Sequence, residues 1–214
     1  MWDERYASDE FIYGTEPNDF LAEHASLLAD PVLSLAESEG RNAVFMASLG
    51  HRVLGVDSSA VGLAKAHQLA ASRGLSIQTE VVDLATYTPP ADTFGAVVSI
   101  FAHLPSHMRK RLHQRVVQAL KPGGVMVLEG YSKAQIDRGT GGPKDIDMLL
   151  SRAEIEQEFS GFEIVLSREL EREVIEGSFH TGLGQCSAIH WQEKGGLMLF
   201  WSWCPDGARR SDCR

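Results

Sequence analysis

One unit of strand, turn, helix and strand constrains what this chain can fold into. Residues 33–36 form a short apolar run typical of a buried strand, residues 42–49 carry apolar side chains at helical spacing up to Gly50, and residues 52–57 form a second strand that ends on Asp57. Strands joined through a helix lie parallel in one sheet, so their carboxyl ends meet at one edge. The sequence therefore predicts that Asp57 lies at the edge where α/β sheets bind ligands.

The carboxylate of Asp57 suits a sugar ligand. Its two oxygens can accept hydrogen bonds from both hydroxyls of a nucleoside ribose. Asp57 follows Gly40 by 17 positions (57 − 40), close to the spacing of roughly 20 residues in dinucleotide sites. We therefore expect an adenosine cofactor against the turn that follows the first strand. The alternative interpretation of Asp57 is a helix-capping carboxylate.

A nicotinamide site uses the same unit of structure and is the first competing hypothesis. It requires the pattern G-x-G-x-x-G, so that the backbone can approach a pyrophosphate at the amino end of the helix. The corresponding residues here are Ala36, Ser38 and Arg41. Because none of them is glycine, the sequence disfavours a nicotinamide-dependent oxidoreductase.

Six short motifs, taken in order along the chain, carry a family resemblance. They are Y-G-T-E-P-N at 13–18, E-G-R-N-A at 39–43, V-D at 56–57, D-L at 83–84, H-L-P at 103–105 and L-K-P-G-G at 120–124. Over residues 1–192 the chain resembles the class I S-adenosylmethionine-dependent methyltransferases, and within them the small tellurite-resistance (TehB-like) and thiopurine-methyltransferase-like group. The resemblance implies an α/β fold, a doubly wound and mostly parallel seven-stranded sheet with an antiparallel last strand. It also implies S-adenosylmethionine as the cofactor.

The resemblance assigns roles to individual residues. Asp57 would hold the ribose, Asp83 would accept a hydrogen bond from the adenine amino group, and the Leu84 amide would face the ring. Ile100 and Phe101 would form apolar walls. The complete set of predicted cofactor-binding residues is Tyr13, Ala36, Glu37, Gly40, Asn42, Asp57, Ser58, Asp83, Leu84, Ile100 and Phe101. No metal ligand set is expected.

The first turn departs from the family pattern. The family usually has an acidic residue and glycines there, whereas this chain has Ser34, Ala36 and Ser38 at three of those places and keeps Gly40. A Cβ atom disfavours positive φ angles. We therefore expect the departure to affect cofactor affinity. A non-catalytic relative that keeps the fold is the alternative hypothesis.

Two histidines are the candidate catalytic residues. A sulfonium methyl group is already activated, so the protein has to align the acceptor, exclude water and, for some acceptors, remove a proton. Histidine titrates near neutral pH. His103 follows the fourth predicted strand, and His180 lies in the late hairpin that can fold over the same edge. The alternative interpretation of His103 is a ring that satisfies loop carbonyls. Surface or packing positions are expected for five other histidines: His51, His67, His107, His113 and His190.

Composition limits the partners. The net charge of −9 and the pI near 5.3 argue against nucleic acid, which requires clustered cations. No stretch of about 18 to 20 apolar residues predicts a membrane span. Three cysteines without a secretory leader favour a soluble, cytoplasmic protein. We expect a small-molecule acceptor, by resemblance a thiol or a tellurium or selenium oxyanion, and leave monomer or weak dimer open.

The remaining pattern predicts one domain at residues 1–192, with an amino-terminal lid at 1–30, a mobile loop at 133–147 and an atypical tail at 193–214. Predicted helices run from Ser58 or Ser59 to Arg73, from a Ser106 cap to Leu120, and over 151–159, with a turn at 121–124. Further strands are predicted at 76–82, 94–101, 125–130, 163–174 and 185–192, the last two joined through Gly177, Gly182 and Gly184.

Overall fold

The computed structural model describes residues 2–177 and 180–192. Its strands are β1 (Val32–Leu35), β2 (Val53–Asp57), β3 (Gln78–Val81), β4 (Phe94–Ile100), β5 (Leu120–Tyr131), β6 (Glu163–Glu176) and β7 (His180–Gln192). Its α-helices are α1 (Trp2–Arg5), α2 (Asp19–His24), α3 (Arg41–Ser48), α4 (Ala60–Ser72), α5 (Ser106–Ala119) and α6 (Arg152–Glu158). The predicted tail at 193–214 lies outside the described residues.

The seven strands form one sheet in the order β3-β2-β1-β4-β5-β7-β6. The pairs from β3 to β5 are parallel, and β7 runs antiparallel to both β5 and β6. This confirms the predicted doubly wound α/β sheet. The chain moves outward from β1 to β3 and then returns to β4 on the other side of β1. The strand order therefore reverses between β1 and β4, which opens a crevice at their carboxyl ends.

Helices cover both faces of the sheet. Every residue of β4 is buried, as expected for a central parallel strand. Alternate side chains of β4 enter different cores: Val98 packs in the cluster that contains Met46 of α3, whereas Val97 packs with Leu112 of α5. This period of two is why the strand has a continuous apolar sequence rather than an alternating one.

Two predicted boundaries around α5 and β5 are wrong. Ser106 is the first residue of α5 rather than its cap, because Pro105 occupies the cap position and the Ser106 amide donates to the Asp147 carboxylate at 2.9 Å. The predicted turn at 121–124 lies inside β5. The register with β4 shifts between Phe94 and Ala96, so the extra residues of β5 are absorbed as an irregularity.

The closing hairpin is longer than predicted. Glu176 at the end of β6 pairs with His180 at the start of β7, so Gly182 and Gly184 lie within the strand rather than in the connection. A Cβ atom on Gly184 would lie 2.9 Å from the ring of Tyr131, which explains a glycine in a strand by close approach. At the other edge, β3 covers only four of the seven residues predicted at 76–82.

The segment at 133–147, predicted as a mobile loop, contains a 3₁₀ turn, and a second begins at its end. They span Lys133–Gln135 and Ile146–Met148. Buried Gln135 anchors the segment, since its amide donates to Thr140 Oγ1 at 3.0 Å and its oxygen accepts from the Gln185 amide at 2.9 Å. Among the described residues no helix has the length and apolar character needed to cross a bilayer.

Candidate functional site

A cavity of about 630 Å³ opens at the carboxyl ends of the parallel strands, within the size range of ligand pockets. Residues that line it from the sheet follow β1, β2 and β3 or end β2 or β4: they include Ala36, Asp57, Ser58, Asp83 and Ile100. The amino-terminal segment and part of the 133–147 segment form its other walls. The lining residues are Trp2, Arg5, Tyr6, Tyr13, Gly14, Ala36, Glu37, Ser38, Glu39, Arg41, Asn42, Asp57, Ser58, Asp83, Leu84, Ile100, Phe101, Ala102, His103, Leu104, Gly141, Gly142, Pro143, Lys144, Met148 and His180.

The turn between β1 and α3 follows a path that glycine favours, although it contains other residues. Ala36 has φ 51° and Ser38 has φ 60°, both in the left-handed region, and Gly40 has φ 94°. Such angles cost roughly 1–2 kcal/mol for a residue with a Cβ atom. Ala36 and Ser38 both adopt positive φ angles in spite of their Cβ atoms. The departure from the family pattern therefore strains the backbone of this turn.

Asp57 holds this turn from the end of β2. Its Oδ2 accepts from the Ser38 amide at 2.9 Å, and its Oδ1 accepts from the Ser59 amide at 2.8 Å. Burial raises the pKa of Asp57, although the backbone amides of Ser59, Ser38 and Ser58 act in the opposite direction. Each carboxylate oxygen has a second acceptor site. The side chain can therefore accept ligand hydroxyls while it holds the turn.

Glu37 lines the cavity and also joins two elements of the fold. Its Oε1 accepts from the Ala43 amide at 2.8 Å, and its other oxygen accepts from the Ser34 hydroxyl. Burial raises the pKa of Glu37 to about 7, partly offset by these hydrogen bonds and by Arg41. Glu37 therefore ties β1 to the first turn of α3. As in Asp57, each of its oxygens accepts one hydrogen bond from the protein.

Gly40 is the one predicted cofactor-binding residue outside the cavity lining. A Cβ atom there would overlap Ala66 of α4, so the position requires glycine for helix packing.

The predicted ends of β3 and β4 are brought together as expected, because Asp83, Leu84, Ile100 and Phe101 all line the cavity. Asp83 is exposed, and its Oδ1 accepts from the Ala85 amide at 2.9 Å.

Aromatic rings cluster around His180, which lines the cavity. The His180 ring centre lies 4.8 Å from that of Tyr13, 4.9 Å from Phe101 and 5.3 Å from Tyr131. The His103 ring is stacked on Tyr131 at 5.7 Å and 7°. The cavity thus has a polar region around Asp57 and an aromatic region around His180.

Both ring nitrogens of His103 are engaged. Nδ1 lies 3.1 Å from the Met148 carbonyl oxygen, and Nε2 lies 3.4 Å from the Tyr131 amide nitrogen. The first must donate and the second must accept, which defines a neutral ring. Burial lowers the pKa of His103 to about 4, although the bond to Met148 opposes this. This geometry weighs against the predicted role of His103 as a proton acceptor.

His180 lies beside a buried ionic network. Its Nδ1 is 3.9 Å from Glu176 Oε2. Glu176 also accepts from Arg41 at 2.6 Å and from Asn18 at 2.8 Å, and Arg172 lies 3.3 Å away. Burial raises the pKa of Glu176, but pairing with His180, Arg41 and Asn18 outweighs it and lowers the pKa to about 2. Glu176 therefore stays ionised beneath the aromatic region.

Glu129 completes this network from β5. Arg172 donates to both of its oxygens, at 2.9 and 2.7 Å, and the Asn18 amide donates to it at 2.6 Å. Sequence reasoning assigned no role to Asn18, Arg41, Arg172 or Glu176. Asn18 and Glu176 are 158 positions apart, so no local signal connects them.

The amino-terminal segment closes over the cavity and touches the hairpin that carries His180. A Cβ atom on Gly177 would overlap the Ile12 carbonyl, and one on Gly14 would lie 3.4 Å from the Gly177 amide nitrogen. The Tyr13 amide donates to Glu39 at 3.3 Å. Trp2, Tyr6 and Tyr13 line the cavity, as expected for the predicted lid region. Within the described residues no three His, Cys, Asp or Glu side chains are grouped so as to hold a metal ion.

This chain is similar to known proteins in sequence and in fold. Residues 32–124 match the family model described as "Methyltransferase domain". A curated relative, the 2-heptyl-1-hydroxyquinolin-4(1H)-one methyltransferase of Mycobacteroides abscessus, is 28% identical over 118 residues, or 54% of this chain and 52% of that protein. The match therefore spans about half the length of that relative.

Solved structures share the fold. A protein of echinomycin biosynthesis, where a disulfide bond is converted into a thioacetal group, aligns with a TM-score of 0.73 at 20% identity, covering 92% of this chain and 89% of its own. TehB from Haemophilus influenzae aligns with a TM-score of 0.68 at 15% identity, covering 90% and 66%. At these identities the likeness concerns the fold alone. Residues 32–124 of this chain are therefore the part that matches a methyltransferase domain, and they contain the turn and the Asp57 carboxylate that line the cavity.

Proposed function

We propose that this protein is an S-adenosylmethionine-dependent methyltransferase that acts on a small-molecule acceptor. The observation that carries the proposal is the position of Asp57, a buried carboxylate at the end of β2 that faces a cavity of about 630 Å³ and lies inside the segment matched to a methyltransferase domain. The finer grouping with TehB-like proteins rests on the motif resemblance and on a shared fold.

The cavity-lining residues suit S-adenosylmethionine. In this proposal Asp57 accepts from the ribose hydroxyls, Asp83 and Leu84 meet the adenine, and Ile100 and Phe101 form the apolar wall. Ala36, Asn42, Ser58 and Tyr13 line the remaining surface. Glu37 and Gly40 act indirectly, by shaping the turn and by allowing α3 to pack on α4. When bound, the cofactor supplies an activated methyl group on a sulfonium ion.

The protein's own contribution is positioning, exclusion of water and control of a proton. The amino-terminal segment and residues 141–144 line the outer part of the cavity, where they limit access of solvent. His180 is the candidate proton acceptor, because it faces the aromatic region and its Nδ1 lies near the ionised Glu176. Glu176 holds a carboxylate oxygen 3.9 Å from Nδ1 of His180. His103 positions the loop through Met148.

Two acceptor classes have support from different observations. By resemblance it is a thiol or a tellurium or selenium oxyanion. The curated relative carries the name of a hydroxyquinolone methyltransferase, which supports a flat hydroxylated heterocycle instead. The aromatic rings around His180 favour the second class. A cytoplasmic location and a monomeric or weakly dimeric state stay predictions.

Calorimetry with S-adenosylmethionine, S-adenosylhomocysteine and NAD tests the proposed function. We expect micromolar binding of S-adenosylhomocysteine and none of NAD. Binding of NAD alone supports the oxidoreductase hypothesis, and no binding of any of the three supports a non-catalytic protein that keeps the fold. Incubation with methyl-labelled cofactor and an acceptor panel, followed by mass spectrometry, then tests for transfer.

A further inference from the structure

Two buried hydrogen-bonding atoms in the cavity wall have no hydrogen-bond partner among the described residues. They are Nη1 of Arg41 and Nδ1 of His180. The Arg41 side chain is 9% exposed and the His180 side chain 12% exposed, and both residues line the cavity. Buried polar atoms of native proteins normally have a partner. His180 Nδ1 has the Glu176 carboxylate 3.9 Å away, so Arg41 Nη1 is the atom that indicates a ligand or water.

Both side chains are held by one carboxylate. Arg41 Nη2 donates to Glu176 Oε2 at 2.6 Å, and His180 Nδ1 lies 3.9 Å from the same oxygen. This contact fixes the guanidinium of Arg41, whose donors form a rigid planar fork. One branch of the fork is used by Glu176. The other branch, Nη1, is positioned to bind an oxyanion or a strong acceptor.

The surroundings of these atoms restrict the shape of the ligand. Tyr13 and Phe101, which line the cavity, have ring centres 4.8 and 4.9 Å from that of His180, and the fully buried Tyr131 lies at 5.3 Å without lining the cavity. Aromatic rings prefer offset-stacked or edge-to-face contacts at such distances. A flat aromatic ligand satisfies this region better than a small tetrahedral or pyramidal oxyanion, which has no face to stack.

We propose that the methyl acceptor is a planar aromatic compound with an acidic hydroxyl group, whose oxygen is bound by Arg41 Nη1 while His180 receives its proton. This inference rests on the proposed function. The hydroxyl O–H bond breaks as a ring nitrogen of His180 takes the proton, and a lone pair of the oxygen forms the new bond to the methyl carbon. The carbon–sulfur bond breaks with its electron pair left on sulfur, which gives an aryl methyl ether, S-adenosylhomocysteine and a proton that His180 later releases to water.

Arg41 is therefore assigned as a binding residue for the acceptor, and Glu176 as a positioning residue that acts through Arg41 and His180. The variants Arg41→Gln and Arg41→Lys test this assignment. Lysine keeps a positive charge beside Glu176 but has no second nitrogen that could replace Nη1. Comparison of the two variants therefore distinguishes the effect of losing the ion pair from the effect of losing Nη1. The matched control is Arg52→Gln, because Arg52 pairs with Asp30 and does not line the cavity.

The probes are 1-naphthol, 4-hydroxyquinoline and 1-hydroxyquinolin-4-one, with their O-methyl ethers as non-ionisable counterparts, and thiophenol and tellurite as alternative acceptors. Binding to protein saturated with S-adenosylhomocysteine is measured by calorimetry, methyl transfer by mass spectrometry, and folding by thermal melting. We expect methylation of at least one hydroxyaromatic compound. Both Arg41 variants should weaken its binding about tenfold or more, as expected for a lost hydrogen bond to a charged group, with cofactor-product affinity within twofold of wild type.

Three results would overturn the inference, and they differ from one another. Weaker binding of S-adenosylhomocysteine in Arg41→Lys, with unchanged acceptor binding, would show that Nη1 serves the carboxylate of the cofactor. Methylation of thiophenol or tellurite but of no hydroxyaromatic compound would refute the acceptor class and leave the proposed function intact. Absence of S-adenosylhomocysteine binding to the wild-type protein would refute the proposed function itself, before any acceptor is added.

Discussion

The amide of Ser38 donates a 2.9 Å hydrogen bond to Oδ2 of Asp57, and Ser38 itself has a φ angle of 60°. The carboxylate expected to hold a ribose thus also holds the turn in a backbone conformation that serine disfavours. Cofactor binding and turn conformation are therefore coupled through one side chain.

Replacement of Asp57 by asparagine should reduce affinity for S-adenosylhomocysteine about tenfold or more, because hydrogen bonds to a charged group contribute roughly 1.5–3 kcal/mol each. Calorimetry measures the dissociation constant. The control is Asp92→Asn, since exposed Asp92 precedes β4 at the opposite edge of the sheet and also has a positive φ angle of 50°. Equal affinity in wild type and Asp57→Asn would exclude Asp57 as the ribose ligand.

Replacement of Ala36 or Ser38 by glycine should stabilise the protein by about 1 kcal/mol each, because glycine adopts positive φ angles without the Cβ penalty. Urea unfolding measures the free energy. Ala47→Gly is the control, since Ala47 lies within α3, where glycine costs roughly 1 kcal/mol. Destabilisation by both turn substitutions would mean that their Cβ contacts outweigh the backbone strain.

The raised pKa of Glu37 predicts a pH dependence of stability. Its pKa rises from 4.5 to about 7 on folding, chiefly because the carboxyl is buried, so the folded state binds more protons than the unfolded state between these values. The contribution of Glu37 to stability should therefore fall as the pH rises from about 5 to about 7, whereas the lowered pKa of His103 contributes a slope of the opposite sign. In urea titrations at pH 5, 6, 7 and 8, the difference in unfolding free energy between the wild type and Glu37→Gln should decline from pH 5 to pH 7. The exposed substitution Glu80→Gln should leave the slope unchanged.

His180→Asn should lower kcat for a hydroxylated acceptor by roughly 10²–10⁴-fold, the usual contribution of a general base. His103→Asn should chiefly lower stability, because both nitrogens of His103 bond to the protein. Steady-state kinetics and thermal melting on both variants separate the two effects. A larger loss of kcat in His103→Asn, with an unchanged melting temperature, would reverse the assignment.

A second buried cluster joins α5 to α6 away from the main cavity. Glu158 accepts from Arg109 at 2.9 Å, and its other oxygen lies 2.6 Å from Nδ1 of His113. Glu158→Gln should destabilise the protein by about 3 kcal/mol, because it leaves the Arg109 charge buried with weaker compensation. The exposed pair of Arg152 and Glu156 provides the comparison. Glu156→Gln should change stability by less than about 1 kcal/mol in the same urea experiment.

The sequence predicted the fold where the signals are local. The order of β1, α3 and β2 follows from apolar periodicity and from Gly50, and the helix cap at Ser59 follows from residue type. The same logic brought Asp57, Asp83 and Ile100 to one edge, because parallel strands end on the same side. These features depend on neighbours within about 20 residues in the chain.

The environment of the histidines could not be predicted in this way. The carbonyl that engages His103 belongs to Met148, 45 positions away, and the carboxylate that pairs with Arg41 belongs to Glu176, 135 positions away. Burial and partners at such separations depend on tertiary packing. The sequence therefore identified both histidines as candidates but could not distinguish the ring with two engaged nitrogens from the one near Glu176.

The close approach of Gly14 and Gly177 has a mechanical consequence. The amino-terminal segment and the β6–β7 connection meet through backbone atoms without a side chain between them, and Ile12 leaves no space for one at Gly177. The backbones of the two segments are in direct contact, so neither segment can move toward the other. A side chain introduced at Gly177 would therefore push the amino-terminal segment that carries Tyr13 away from the hairpin that carries His180.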